Sequence, residues 1–168
     1  MREARVDDAE AMADVNAAGW RVGYREIVPQ HYLDDLPVKR WLREMRAGLA
    51  EPRGDSFTRI AELDGSFAGY CFVAAPGRGE PDDSKVAELV ALYVYPESWG
   101  RGAGRALLDA ALAEAGKLGY AEIILWTWAR NERALRIYRA AGFAADGASR
   151  PFVPLGTETV RLRRALTA

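Results

Sequence analysis

The stretch VAELVALYVYP, residues 86–96, constrains the fold more than any other part of the chain. Glu88 is its one charged residue, and the run is apolar at nearly every other position. A run this apolar suits a strand covered on both faces, so helices are expected on both sides of its sheet. Directly after it comes ESWGRGAGRALL, residues 97–108, in which Gly100, Gly102 and Gly104 lead into good helix-forming sequence. Leu107, Leu108, Ala111, Leu112, Ala115 and Leu118 recur at helical spacing and predict a buried stripe on a helix from about 103 to 118, with Gly119 as its C-terminal cap. AEIILWTWA, residues 121–129, is a further strand. The centre of the chain is therefore a strand–loop–helix–strand unit of a mixed α/β domain.

The flanks fit that centre. Residues 2–6 read as a short first strand, and residues 7–20 as a helix capped by Asp7 with Glu10 in a capping-box position. Met12, Val15 and Trp20 belong to its apolar face. A connector with Pro29 and Pro37 leads to a second helix over residues 38–50, with Trp41, Leu42, Met45 and Leu49 at helical spacing. SFTRIAEL and SFAGYCFVAA flank Asp64-Gly65, the signature of a β-hairpin. Residues 76–83 are a polar loop, NERALRIYRAAGF (131–143) is a helix ended by Gly142, and TETVRLRRAL (157–166) is a final strand. At 168 residues the chain is sized for one domain, read here as spanning 1–168.

The net charge of −1 gives no general attraction to nucleic acid or to an anionic membrane, and no segment approaches the ~20 apolar residues of a membrane span. The lone Cys71 excludes an intrachain disulfide and fits a reducing cytoplasm; within AGYCFVAA it reads as a buried small hydrophobe. His31 has no second histidine and no partner for a triad, so neither a metal site nor a nucleophilic triad is expected.

The glycine turn has two readings. It is either a tight flexible turn or an anion site, because a glycine-rich entry into a helix exposes backbone N–H groups that have no acceptor within the helix. Arg101 and Arg105 sit at the positive end of the helix dipole, the wrong place for cations by about 0.3–1 kcal/mol each unless an anion joins them. The dinucleotide pattern G-x-G-x-x-G fails, since its third glycine falls on Arg105 or Leu107, and the Gly-Lys-Ser/Thr of a nucleoside-triphosphate loop is absent.

Two linked segments, ALYVYPESWGRGAGRALLDAALAEA and LWTWARNERALRIYRAAGF, resemble the acetyl-coenzyme-A binding core of the GNAT superfamily of N-acetyltransferases. The likeness is strongest over Val86–Phe143. The family loop, Gln/Arg-x-x-Gly-x-Gly/Ala, here reads Trp99-Gly100-Arg101-Gly102-Ala103-Gly104, so Trp99 replaces the polar first residue. The resemblance implies a GNAT acyl-CoA N-acyltransferase fold, with a mixed central sheet flanked by helices and splayed between the fourth and fifth strands. It implies that acetyl-CoA is held as cosubstrate by the loop amides from Gly100 to Arg105 and by the main chain of Leu92, Tyr93 and Val94, with a β-bulge near Leu92. No metal is implied.

The same resemblance gives roles to side chains. Asn131 and Tyr138 are seven residues apart and share one helix face. The matching asparagine bonds the coenzyme, and Asn131 also suits a helix cap. The matching tyrosine faces the sulfur as a general acid, whereas from spacing alone Tyr138 also reads as a core aromatic. Glu88 is either the general base or a strand-end glutamate paired or solvated. Trp20, Tyr24 and Trp126 are candidates for the acceptor side. The ribosomal-protein acetyltransferases of the family carry a glutamate five residues before the asparagine; Trp126 stands there instead, which disfavours that substrate class.

The expected function is acetyl transfer to a primary amine of a small molecule or peptide by direct attack in a ternary complex. The alternatives are a non-catalytic acyl-CoA sensor of the same fold and a nucleotide-binding protein. The expected partner is the amine acceptor, with no nucleic acid and no membrane. Family members often form homodimers, although no sequence feature marks such an interface.

Overall fold

The computed structural model describes residues 1–77, 85–152 and 155–166. Most of the polar loop expected over 76–83 lies outside them. The elements are β1 (Arg2–Glu3), α1 (Ala9–Gly23), α2 (Gln30–Asp34), α3 (Val38–Ala50), β2 (Phe57–Leu63), β3 (Ser66–Ala74), β4 (Val86–Val94), α4 (Ala103–Lys117), β5 (Glu122–Trp128), α5 (Glu132–Ala140), β6 (Ala144–Phe152) and β7 (Thr157–Ala165). The strands form one sheet in the order β1-β2-β3-β4-β5-β7-β6. Neighbours are antiparallel except β4 and β5, which run parallel on either side of the α4 crossover.

Two apolar layers cover the sheet. On one face, Leu107, Leu108, Ala111, Leu112 and Ala115 of α4 meet Cys71, Val73, Ala87, Leu89, Ile123 and Leu125, and Leu135 of α5 joins the same cluster. Each fully buried leucine contributes about 1.5–3 kcal/mol. Leu118 departs from the expected stripe: it lies one residue past the helix and is 46% exposed. On the other face, Met12 and Val15 of α1 pack on Ile60 and Tyr70, and Met45 and Leu49 of α3 pack against that cluster. Arg59 of β2 holds Glu114 of α4 with a bidentate ion pair, one bond of which is 2.8 Å, fastening the helix across the sheet.

Three local expectations change. The chain enters α1 through a turn of 3-10 helix over Val6–Asp8, so the N-cap position of α1 falls on Asp8 and not Asp7, and the Asp8 side chain caps no amide of that helix. The Asp8 carboxylate accepts from the Arg5 amide at 2.7 Å and from Arg2 at 2.7 Å. The Arg2 bonds hold its pKa below the usual carboxylate range. The strand expected over 2–6 shortens to β1 accordingly. β6 is a strand that the sequence did not announce; AADGASRPF carries no apolar alternation, is largely exposed, and is defined by its pairing to β7. The hairpin and helix ends agree with the sequence: Asp64 and Gly65 take φ of 52° and 77°, Gly119 takes 88° and Gly142 takes 84°.

The arrangement of β4 positions the site. β4 pairs with β3 along its length, but with β5 only through Val86↔Glu122, Ala87↔Ile123 and Glu88↔Ile124. Beyond Glu88 the two parallel strands part. The register with β3 slips between Phe72/Val73, which leaves Val90 as the extra residue of a bulge. The bulge expected near Leu92 thus lies two residues earlier, at the start of the splay, where it turns the strand away from β5.

Candidate active site

The splay opens a cleft of about 500 Å³. Its walls are the end of β4 from Leu89 to Val94, the loop from Ser98 to Gly104 and one face of α5. Leu92, Tyr93, Val94, Trp99, Gly100, Gly102, Gly104, Arg105, Asn131, Tyr138, Tyr24 and Trp126, all singled out by the sequence, meet there. Arg101, Ala103, Trp20 and Glu88 do not line it.

The floor of the cleft is the mouth of α4. Gly102 is its N-cap, with φ of 91°, and Gly100 has φ of 79°, conformations that favour glycine. The first main-chain bond of the helix runs from the Ala106 amide to the Gly102 carbonyl at 3.0 Å. The amides of Ala103, Gly104 and Arg105 therefore have no acceptor within the helix, and no side chain caps them. Donors left open in this way, at the positive end of a helix dipole, are of the kind that suits an anion.

The two loop arginines do not behave as the sequence suggested. Arg101 turns away to Asp64 at 2.6 Å, and Arg105 bonds Asp109 one helical turn on at 2.8 Å. Each local carboxylate relieves the unfavourable placement of a cation at a helix N-terminus. Trp99 takes a different role from the residue it replaces. Its indole N–H donates to the Val94 carbonyl at 2.8 Å, tying the loop to the end of β4.

Asn131 caps α5, accepting from the Ala134 amide at 3.1 Å, while still facing the cleft. One face of α5 continues from it through Ala134 to Tyr138. The Tyr138 ring packs edge-on against Phe143 at 5.8 Å. Burial, followed by the neighbouring Tyr93 phenol, pushes its pKa above the ordinary phenol value. Tyr138 thus packs at the edge of the core, as its spacing suggested, and also lines the cleft.

Glu88 lies outside the cleft wall, on the last rung shared by β4 and β5. Its carboxylate accepts from the Gly77 amide at 3.0 Å, an anchoring role at the β3–β4 connection. The side on which acceptor contacts were expected is aromatic. Trp20 stacks within 5.0–6.4 Å of Tyr24, Tyr32, Trp41, Trp128 and Phe152, backing Tyr24 where the latter reaches the cleft. Trp126 and Trp128 leave β5 on one face, yet they meet different neighbours. Trp128 is buried in that cluster, while Trp126 carries the Arg150 guanidinium 3.9 Å above its ring.

The sequence reading assigned Tyr93 only a main-chain role; its side chain is also part of the site. The hydroxyl accepts from the Trp20 indole at 3.0 Å, and the ring lies so close to α1 that a Cβ on Gly19 would come within 2.9 Å of it. The available signal was Gly19 itself: a glycine in a helix interior costs about 0.5–1 kcal/mol and marks a close approach.

This geometry coincides with the outcome of comparison with known proteins. The acetyltransferase (GNAT) family profile matches residues 19–143. The chain belongs to the GNAT acetyltransferase family. A mycothiol acetyltransferase of Sanguibacter keddieii is 36% identical over 101 residues, 60% of this chain and 32% of that one. The chain thus spans about a third of the mycothiol acetyltransferase it matches. An uncharacterized N-acetyltransferase of Mycobacterium tuberculosis is 30% identical over 141 residues, 83% of this chain and 85% of that one. Among solved structures, YncA from Salmonella typhimurium with its cofactor acetyl-CoA superposes with a TM-score of 0.75 at 19% identity, over 99% of this chain and 92% of that one. That likeness is one of fold. The GNAT fold, with its mixed seven-stranded sheet and single parallel β4–β5 pair, is the fold the sequence led us to expect. Among the described residues, no helix is long and apolar enough to cross a membrane.

Proposed function

We propose that this protein is an acetyl-CoA-dependent N-acetyltransferase that acetylates a primary amine of a small molecule or peptide by direct attack. The observation that carries this reading is the cleft itself, which joins an uncapped helix mouth, an unpaired strand edge and the Tyr138 hydroxyl. These residues fit a phosphorylated thioester. The Ala103, Gly104 and Arg105 amides suit the diphosphate, and the open edge of β4 can pair with the amides of a pantetheine arm as an added strand would. Val90 and Ile137, two of the exposed large hydrophobics, both line the cleft, where that arm would cover them.

The chain's own groups account for the protons. The amine nitrogen forms a bond to the thioester carbonyl carbon as the carbon–sulfur bond breaks. Tyr138 donates its hydrogen bond, and in the limit its proton, to the departing sulfur, and is restored by the proton shed from nitrogen. A phenol is protonated at neutral pH, and burial raises the Tyr138 pKa further, so the hydroxyl is present as a hydrogen-bond donor throughout that range. Direct attack is favoured over a cysteinyl intermediate. Cys71 is the chain's one cysteine, is fully buried away from the cleft, and has its thiol pushed up to about 12 by burial.

Among the described residues no carboxylate lines the cleft. Glu88→Gln preserves an acceptor for the Gly77 amide and is expected to fall well short of the ~100-fold loss that removal of a general base brings. A loss of that size in kcat, measured at saturating acceptor, would restore Glu88 as the base. The activity is tested by incubating acetyl-CoA with a panel of amines, amino acids and peptides and following free thiol. Acceptor-dependent thiol release is expected; tight acetyl-CoA binding without turnover on any acceptor would point to a sensor instead.

A further inference from the structure

Arg133 occupies an unusual position. It comes from the first turn of α5, and its guanidinium carbon lies over the Trp99 ring, 3.7 Å from the centroid. Both residues line the cleft beside the α4 mouth. The other cations at this mouth already have carboxylate neighbours, Arg101 pairing with Asp64 and Arg105 with Asp109. Arg133 has no carboxylate partner among the described residues. Partial burial and the like charge of Arg136 both press its pKa below the usual guanidinium value. An arginine held over a ring with no carboxylate partner is a preorganised one, because the ring holds the guanidinium in place while its N–H groups can still reach an anion.

From this arrangement we infer that Arg133, held by Trp99, is the phosphate-binding cation of the cleft. It replaces from α5 the polar residue that the loop lacks at Trp99. The inference rests on the acetyl-CoA reading of the cleft. Its ligand is a phosphoryl group of the coenzyme, either the diphosphate or the ribose phosphate, and the two are separable. Trp99 then has two functions: its indole N–H fixes the end of β4 through Val94, and its face carries the cation. One aromatic residue thereby couples the strand that receives the pantetheine arm to the arginine that receives the phosphate.

The test is calorimetric titration of the whole protein with coenzyme A and with dephospho-coenzyme A, which lacks the ribose phosphate. Arg133→Gln is expected to weaken coenzyme A binding about tenfold or more, as loss of a charge-assisted bond does. It should also flatten the salt dependence of Kd by about one ion. Arg136→Gln removes the same charge one helical turn on, outside the cleft lining, and is expected to leave Kd unchanged. If the Arg133→Gln loss persists with dephospho-coenzyme A, Arg133 binds the diphosphate; if it vanishes, Arg133 binds the ribose phosphate. Equal Kd values for wild type and Arg133→Gln, or equal losses for the Arg133 and Arg136 variants, would overturn the assignment. A wild-type protein that binds no coenzyme A would instead refute the underlying reading of the cleft. Because Arg133 is exposed, the variant should melt with the wild type, which checks that its fold is intact.

Discussion

Tyr138→Phe is expected to lower kcat about 100-fold, the usual worth of a positioned acid, while the Kd for acetyl-CoA stays within about threefold. The substitution removes one oxygen and keeps the ring that packs at 5.8 Å from Phe143, so α5 and the wall of the cleft should survive. What disappears is the hydrogen bond to the leaving sulfur, which matters most in the transition state. The pH profile gives a second readout. Burial raises the Tyr138 pKa above that of a free phenol, ~10. The wild-type rate should therefore climb with pH as the acceptor amine loses its proton, with no falling limb from Tyr138 below that value. The climb belongs to the acceptor, so Phe at this position should lower the curve without shifting it. An unchanged kcat would remove Tyr138 from the chemistry.

The second large effect is structural. A Cβ placed on Gly69 would collide with the Tyr93 carbonyl oxygen and lie 2.8 Å from the Val94 Cα. Both are main-chain atoms of β4 and cannot swing aside. Gly69→Ala must therefore open the Gly69↔Val94 rung or push β4 toward the cleft. The cost of such overpacking is about 3 kcal/mol, or some 6–12 °C in Tm for a chain of this size. Donor binding should weaken in parallel, since Tyr93 and Val94 form the wall of the cleft. Gly48→Ala is the contrasting change. It lies in α3 with nothing within 4 Å of its added methyl, and is expected to raise stability by about 0.5–1 kcal/mol. Equal melting temperatures for wild type and Gly69→Ala would contradict the packing described here.

The sequence revealed those features that local chemistry determines. The apolar β4 run, the α4 stripe and the glycines that close hairpins and helices each carry their own signal, and the structure uses them as expected. The glycine loop and the Asn131–Tyr138 spacing mark two walls of one cleft. What was not legible depends on partners distant in sequence. β6 exists as a strand because β7 offers it an edge. Glu88 stood out as an acid in an apolar strand, yet its orientation is set by the Gly77 amide. Arg101 and Arg105 suggested a phosphate, but Asp64, from a hairpin 37 residues away in sequence, and Asp109, on the same helix, claim them. The stack of Arg133 on Trp99 joins two segments whose contact no spacing rule predicts.

A crystal structure of the protein with acetyl-CoA bound tests the central claim most directly. We predict the diphosphate on the amides of Ala103, Gly104 and Arg105, the pantetheine arm along the free edge of β4, and the thioester sulfur within hydrogen-bond reach of the Tyr138 hydroxyl. A donor bound elsewhere on the protein, or an α4 mouth that stays empty at saturating acetyl-CoA, would contradict it.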